Sequence, residues 1–313
     1  APKGNNAELL TRGWEVALQW KDQVMVAGKP LDYSIRGTLW DSRSFVTKFA
    51  GNDTKSLGTW SNVLQSHGNP SEYYEGMELG EMWGWTIEGI FRDQDDINNH
   101  AIQAGFLQSY DKVARPGQLK VKDMDESGII DYGEFTADNP GDLSIVGNNR
   151  MRYMYGLNLS LDWNGIGISA FFQGCLKHMW YPGADCGYFW GKYARPYFAF
   201  IPSIHSTSNP DVAKMNEDNT VCLNYDTAYW PKLTTMQSNS NYTWGHLLEM
   251  PNNRYMQDAS FVRLKNLQIS YTLPKKWCDA ATFKTVKVFF NGENLFCFTP
   301  MHRYAPNLDP EGL

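Results

Sequence analysis

The chain has 313 residues, with 28 basic and 34 acidic side chains and a formal charge of −6. That balance speaks against a protein that grips a phosphate backbone; with a mean hydropathy of −0.48, no stretch nears the roughly 18 consecutive apolar residues of a spanning helix. Aromatic residues make up 14% of the chain, as 12 Trp, 17 Tyr and 16 Phe, a share that in a polar chain points to carbohydrate stacking, a membrane-interface girdle, or both.

The opening Ala1-Pro2-Lys3-Gly4-Asn5 is polar and has no apolar signal region, so a leader was removed or the chain begins inside a longer protein. The pattern that follows has period two. Trp14, Val16, Leu18 and Trp20 alternate with Glu15, Ala17, Gln19 and Lys21. After a break at Gly28-Lys29-Pro30 the alternation resumes through Tyr33, Ile35, Gly37 and Leu39. Both stretches read as strands.

A long connection covers 51–152, and residues 123–134 inside it read Asp-Met-Asp-Glu-Ser-Gly-Ile-Ile-Asp-Tyr-Gly-Glu. This is the twelve-residue pattern of a calcium loop, within a calcium-type segment at 117–135. Asp123, Asp125 and Ser127 would give side-chain oxygens, Ile129 its carbonyl, Asp131 a direct or water-mediated contact and Glu134 the closing bidentate carboxylate. Gly128 takes the sharp turn. Leu119 and Val121 before the loop alternate like a strand, and Pro140-Gly141 follows too soon for a long exiting helix. The expectation is an isolated structural Ca²⁺ loop that pins a larger connection, not a helix–loop–helix sensor.

The clearest strand comes next: Tyr153, Tyr155, Leu157, Leu159, Leu161 and Trp163 on one face, Met154, Gly156, Asn158, Ser160 and Asp162 on the other. Ten steps at about 3.4 Å, tilted by about 45°, project to about 24 Å, close to the apolar band of an outer-membrane barrel. Aromatics end the apolar row and aliphatics fill its middle, as lipid exposure requires; a sandwich would need the polar, small face as its core. Asn164-Gly165 is a hairpin turn, and Ile166, Ile168, Ala170 and Phe172 form the return strand. A second long connection covers 174–260, followed by strands from Phe261 to Leu273 and from Thr285 to Phe298. Short links thus alternate with long ones, all short links at one end. That parity belongs to a transmembrane antiparallel β-barrel of which about six strands are present, too few to close. The long connections carry their own short strands and helices.

Other groups say less. Trp83, Trp85, Trp180, Tyr181, Trp190 and Tyr193 lie in the long connections and are candidates to stack on sugar rings, or to pack the connections together. The six histidines show no metal-ligand spacing, and the five cysteines form no CxxC; an oxidising compartment would allow Cys175 to pair with Cys186. No nucleophile elbow or phosphate loop occurs, so the chain reads as a non-enzyme.

Several stretches resemble the SusC/RagA family of TonB-dependent outer-membrane transporters of Bacteroidetes. Residues 262–274, VRLKNLQISYTLP, resemble its LRLKNLQLGYTLP signature; Asn291 to Thr299 resembles SGQNLFTFT, and Asp309-Pro310-Glu311 the DPE that follows. Gly84-Trp85 with Glu88-Gly89-Ile90-Phe91, the stretch from Gly117 to Asp131, Ile145 to Asn148, and Gly13-Trp14-Glu15 match further segments in family order. The resemblance implies that residues 1–313 are the C-terminal part of a 22-stranded barrel, in the bacterial outer membrane with its long loops outside. It implies a SusD-like lipoprotein partner, coupling to TonB through the missing N-terminal part, and import of oligosaccharides or peptides. The signal, the plug, the TonB box and a closing strand after Leu313 are the parts of that family not seen in this sequence. Where the family often has Asn or Asp, Ser127 would weaken calcium affinity. The alternative is a surface or secreted β-rich glycan-binding protein with a structural calcium site; a calcium-dependent glycoside hydrolase has only the aromatics in its favour.

Overall fold

A computed structural model describes residues 7–59, 62–63, 66–103, 114–181, 210–232, 251–306 and 308–313. Its strands in chain order are β1 (Ala7–Val26), β2 (Lys29–Phe49), β3 (Glu81–Trp85), β4 (Ile87–Ile90), β5 (Ile102–Gln103), β6 (Leu119–Val121), β7 (Ile129–Ile130), β8 (Leu143–Asn148), β9 (Arg152–Trp163), β10 (Ile166–Lys177), β11 (Met179–Trp180), β12 (Gln257–Asp258), β13 (Phe261–Thr272) and β14 (Lys287–Phe298). Two short helices join them, α1 (Gln94–Asn98) and α2 (Lys275–Ala280). No described helix is long and apolar enough to cross a membrane.

One antiparallel sheet runs in the order β1-β2-β9-β10-β13-β14, the six strands that alternation marks out. Its register turns six separate patterns into two faces. Lys21, Ser34, Ser160, Ser169, Gln268 and Asn291 stand side by side across the whole sheet. The adjoining row on the other face is Trp20, Ile35, Leu159, Ala170, Leu267 and Gly292, and the next on that face carries Tyr33, Leu161, Ile168, Ile269 and Phe290. One-residue slippage in β2, β9, β10 or β13 would have put a serine or glutamine among the apolar residues. The polar row is knit across strands, as where Ser34 Oγ and Ser160 Oγ lie 2.8 Å apart.

Nothing described covers the apolar face. Leu18 is 72% exposed and Phe290 62%, and none of the six side chains from Tyr153 to Trp163 is buried. Leaving such a face in water would forfeit about 25 cal/mol for each Å² of it, so the face calls for an apolar neighbour. Among the described residues the sheet does not close on itself, and β1 and β14 each keep one unpaired edge.

The turn at Ala27-Gly28 and the Asn164-Gly165 hairpin take positive φ throughout (50°, 74°, 49° and 86°), the backbone that two-residue hairpins need to match strand twist. Both turns, and the α2 link, lie at one end of the sheet. At the other end β1 and β2 go on: β9 pairs only with Leu31–Trp40, whereas β1 follows β2 out to Phe49.

That projecting part of β2 carries a folded unit made from the long connections. Val46 is 2% exposed and exchanges hydrogen bonds with Met77 and Gly76, and Leu79 N–H donates to Ser44 O at 2.9 Å. The unit has its own core, including Leu57, Met82, Trp85, Leu119, Val121, Ile130, Trp230 and Tyr255. Each large side chain removed from water there contributes about 1.5–3 kcal/mol. Trp230 stacks on Tyr255 at 5.2 Å and Tyr229 on Tyr304 at 5.1 Å, which joins three separate chain segments. One buried acid, Glu81, is satisfied by Tyr74 Oη–H, Trp83 Nε1–H at 2.9 Å and Glu78 N–H at 3.2 Å. Burial and that carboxylate push the Tyr74 phenol well above its ordinary range. Cys175 is a buried free thiol, which corrects the pairing with Cys186; Cys186 lies outside the described residues.

Candidate functional site

The calcium-type loop sits between two anchors. β6 enters with Leu119 and Val121 buried, and β7 leaves with Ile130 buried and paired in parallel to β5. Between them the chain wraps its own carboxylates. Asp123 accepts from Ser127 N–H at 3.2 Å and Gly128 N–H at 2.9 Å, and Asp125 accepts from Ser127 N–H at 3.0 Å. Gly128 has φ 82°, a turn that a Cβ would strain. Ser127 Oγ donates to Ile129 O at 2.9 Å, so two of the expected ligands face one another.

The closing position is where sequence spacing misleads. Glu134 rides on an excursion from Gly133 to Gly141, its own N–H tied to Asn139 O at 3.1 Å. The neck of that excursion is two glycines against each other: a Cβ on Gly141 would come within 2.5 Å of Gly133 N, and one on Gly133 within 2.7 Å of Gly141 N. Asp142 N–H donates to Asp131 O at 2.9 Å, so the residue after the excursion lies beside the one before it. Asp123, Asp125 and Asp142 are therefore the carboxylates gathered within 4.8 Å of one another, and neither Asp131 nor Glu134 belongs to that group. Asp131 instead accepts from Gly133 N–H at 2.7 Å and shapes the neck.

Asp142 is fully buried, and its two oxygens accept from Met124 N–H at 2.6 Å and Asp131 N–H at 2.7 Å. Burial raises its pKa above the ordinary aspartate value against those two donors, and the Asp125 and Asp123 charges add to the rise. No lysine, arginine or histidine among the described residues pairs with any of the three. Three hard oxygen donors around uncompensated negative charge suit Ca²⁺, with Asp142 in the place that a fixed spacing gives to Glu134. The only sign in the sequence was Asp142 itself, behind Pro140-Gly141.

The aromatic candidates are placed differently from a sugar platform. Trp85 is fully buried, Trp83 is 5% exposed with Nε1–H on Glu81, and Tyr181 is fully buried with its hydroxyl accepting from Asn252 Nδ2–H at 2.8 Å. Trp180, 7% exposed, packs with Ala259, Met301 and Ala305. Trp83 and Trp85 fill the core, while Trp180 and Tyr181, though buried, also line a cavity of about 530 Å³ with His67 and His178; a polar connection of this size folds around its largest apolar groups. Trp190 and Tyr193 lie outside the described residues.

The signature-like stretches meet in space. Arg263, on β13, forms ion pairs with Asp309 and, at 3.3 Å, with Glu311, and Lys265 Nζ reaches Glu311 at 2.7 Å. The RLK and DPE segments are thus one interaction, folding the chain after β14 back onto the neighbouring strand.

Comparison with known proteins agrees with this arrangement. The chain is 24% identical over 237 residues to TonB-dependent receptor P3 of Formosa agariphila, covering 76% of this chain and 19% of that protein. It is 22% identical over 337 residues to TonB-dependent receptor P39 of the same organism, covering 99% of this chain and 28% of that protein. Both matches are consistent with part of a SusC/RagA-like TonB-dependent receptor. Its fold is similar to the RagAB peptide transporter (TM-score 0.55, 17% identity, 97% of this chain and 27% of that one). It is equally similar to the RagAB peptide importer in its open-open state (TM-score 0.54, 16% identity, 98% and 27%). No family model matches. The chain therefore spans under a third of the length of these relatives, which are named as receptors and transporters rather than enzymes.

Proposed function

We propose that this chain supplies wall and outward connections to an outer-membrane importer that takes up oligosaccharides or peptides with energy passed from TonB. The observation that carries the reading is the register: one uncovered apolar face and one polar face held in step across six strands, with every long connection at the same end. A soluble glycan-binding module would need a second layer on that face, and the described residues supply none. In this reading the long-connection end faces outward, a SusD-like lipoprotein covers it, and the polar face lines the lumen.

The full receptor should take up its substrate only in cells with intact TonB; equal uptake without TonB would overturn the importer. The chain should also require detergent, and a folded monomer in plain buffer would remove the membrane wall.

Calcium is the second part of the proposal. Asp123, Asp125 and Asp142 hold the ion, with Ser127 and Ile129 as neighbouring oxygens, and the ion pins β6, β7 and β8 together. It does no chemistry on the substrate; it neutralises three carboxylates that the fold has crowded.

A further inference from the structure

A cavity of about 480 Å³ opens beside β4 and α1, walled on its other side by the segments around Tyr225 and Arg254. Its volume suits a small ligand, for which sites run from about 300 to 1,000 Å³.

The charges in and around it fall into two sets. One set is self-compensated: Lys120 Nζ lies 2.9 Å from Asp96 and 3.4 Å from Glu88, Glu88 lies 3.2 Å from His100 Nε2, and Arg92 Nε lies 2.7 Å from Asp93. The other set is not. Arg254, Asp95 and Asp226 line the same cavity, and among the described residues none of the three has an ion-pair partner.

Arg254 is the built part of the site. Its Nε–H donates to Tyr229 O at 2.9 Å and its Nη2–H to Ala228 O, and the guanidinium lies 5.9 Å from the centre of the Tyr229 ring. The residue before it, Asn253, is bonded both ways to the Ile87 backbone, at 2.7 and 3.3 Å, and the one after it, Tyr255, is fully buried. Carbonyl dipoles fix the guanidinium without cancelling its charge. The rest of its planar fork has the geometry that binds a carboxylate through two parallel bonds. A fixed cation and free carboxylates on one small cavity call for a ligand carrying both signs. A neutral oligosaccharide carries neither, and an acidic one carries only the negative.

We propose that this cavity is a binding site for short peptides with free termini, Arg254 taking the carboxylate and Asp226 with Asp95 the ammonium group. The assignment rests on the reading of the long connections as the substrate-facing side of an importer.

The test is calorimetry on the full receptor in detergent, with triglycine, its N-acetyl form, its C-terminal amide and maltotriose as probes. Amidation should weaken binding about tenfold in the wild type and have no effect in Arg254→Gln; acetylation should do the same, cancelled in the Asp95→Asn/Asp226→Asn receptor. The inference is overturned if neither cap alters affinity, if the caps weaken the variants as much as the wild type, or if maltotriose binds as well as triglycine. Should Arg254→Gln fail to fold, the exposed Asp95→Asn/Asp226→Asn pair decides with acetylated triglycine alone. Uptake measured in the same strain separates the two readings. Cap-independent binding with TonB-dependent uptake sinks the peptide site only, and TonB-independent uptake sinks the importer.

Discussion

The six-stranded sheet and the unit on its far end solve opposite problems with the same residue types. In the sheet, tryptophan and leucine point away from the chain: Trp20 is 62% exposed and Leu18 72%. In the unit, Trp85 and Trp230 are at most 1% exposed and make the core. Aromatic content therefore has no single meaning along this chain. What decides it is whether the neighbours repeat with period two over ten or more residues, or break into two- to six-residue strands between turns.

The contrast predicts where damage stays local. Trp85→Ala should cost about 3–5 kcal/mol in the unit while the sheet's melting in detergent holds. Hydrogen exchange at Trp83 and Leu143 would show it, and equal loss of protection in β9 and β10 would mean the two regions fold as one. Leu159→Arg, at the middle of the apolar face, should cost about 2–4 kcal/mol in lipid, whereas Ser160→Arg on the polar face should cost well under that. Unfolding of the full receptor in liposomes reads the difference, and equal costs would erase the two-face assignment.

Calcium probes the unit more finely. Asp142→Asn should weaken Ca²⁺ binding by about tenfold or more, and Glu134→Gln by less than about twofold, in calorimetry on the full receptor. The reverse order would restore the twelve-residue spacing. The raised pKa of Asp142 sets the pH dependence. Between the ordinary aspartate value, about 3.9, and the higher folded value, the folded loop holds a proton that the unfolded chain has lost. Its stability therefore falls as pH rises through that window without metal. With calcium present the sign reverses, because the ion competes with that proton. Protection factors at the Met124 and Asp131 amides, both donors to Asp142, would follow each slope. Smallest of all, the exposed Lys55–Asp138 pair on the excursion should be worth about 0–1 kcal/mol, so Lys55→Ala should leave calcium affinity unchanged.

The wall was the legible part of this molecule. Alternation, the Asn164-Gly165 turn and the order of short and long links carry strand identity, hairpin register and the apolar face, because each is local or repeats with a fixed period. The tight turn from Asp123 to Gly128 was legible for the same reason. The third carboxylate of the cluster, Asp142, was not, since contact between Gly133 and Gly141 is long-range and a residue count runs straight through the excursion. Of the two roles open to Trp83, Trp85, Trp180 and Tyr181, stacking on sugar or packing the connections, burial shows packing for Trp83 and Trp85, because residue type reports an appetite for contact and is silent about the partner. The cavity around Arg254 left no motif at all: its walls come from four separate stretches of chain.

The long second strand has one more implication. β2 runs from its turn to Phe49 as one paired ribbon, through the wall and into the unit that Val46 anchors. A ribbon of that kind is a beam, not a joint. The unit borne on it is tied to the wall by paired backbone with no hinge loop inside the strand, and in the importer proposed above it would serve as the doorframe.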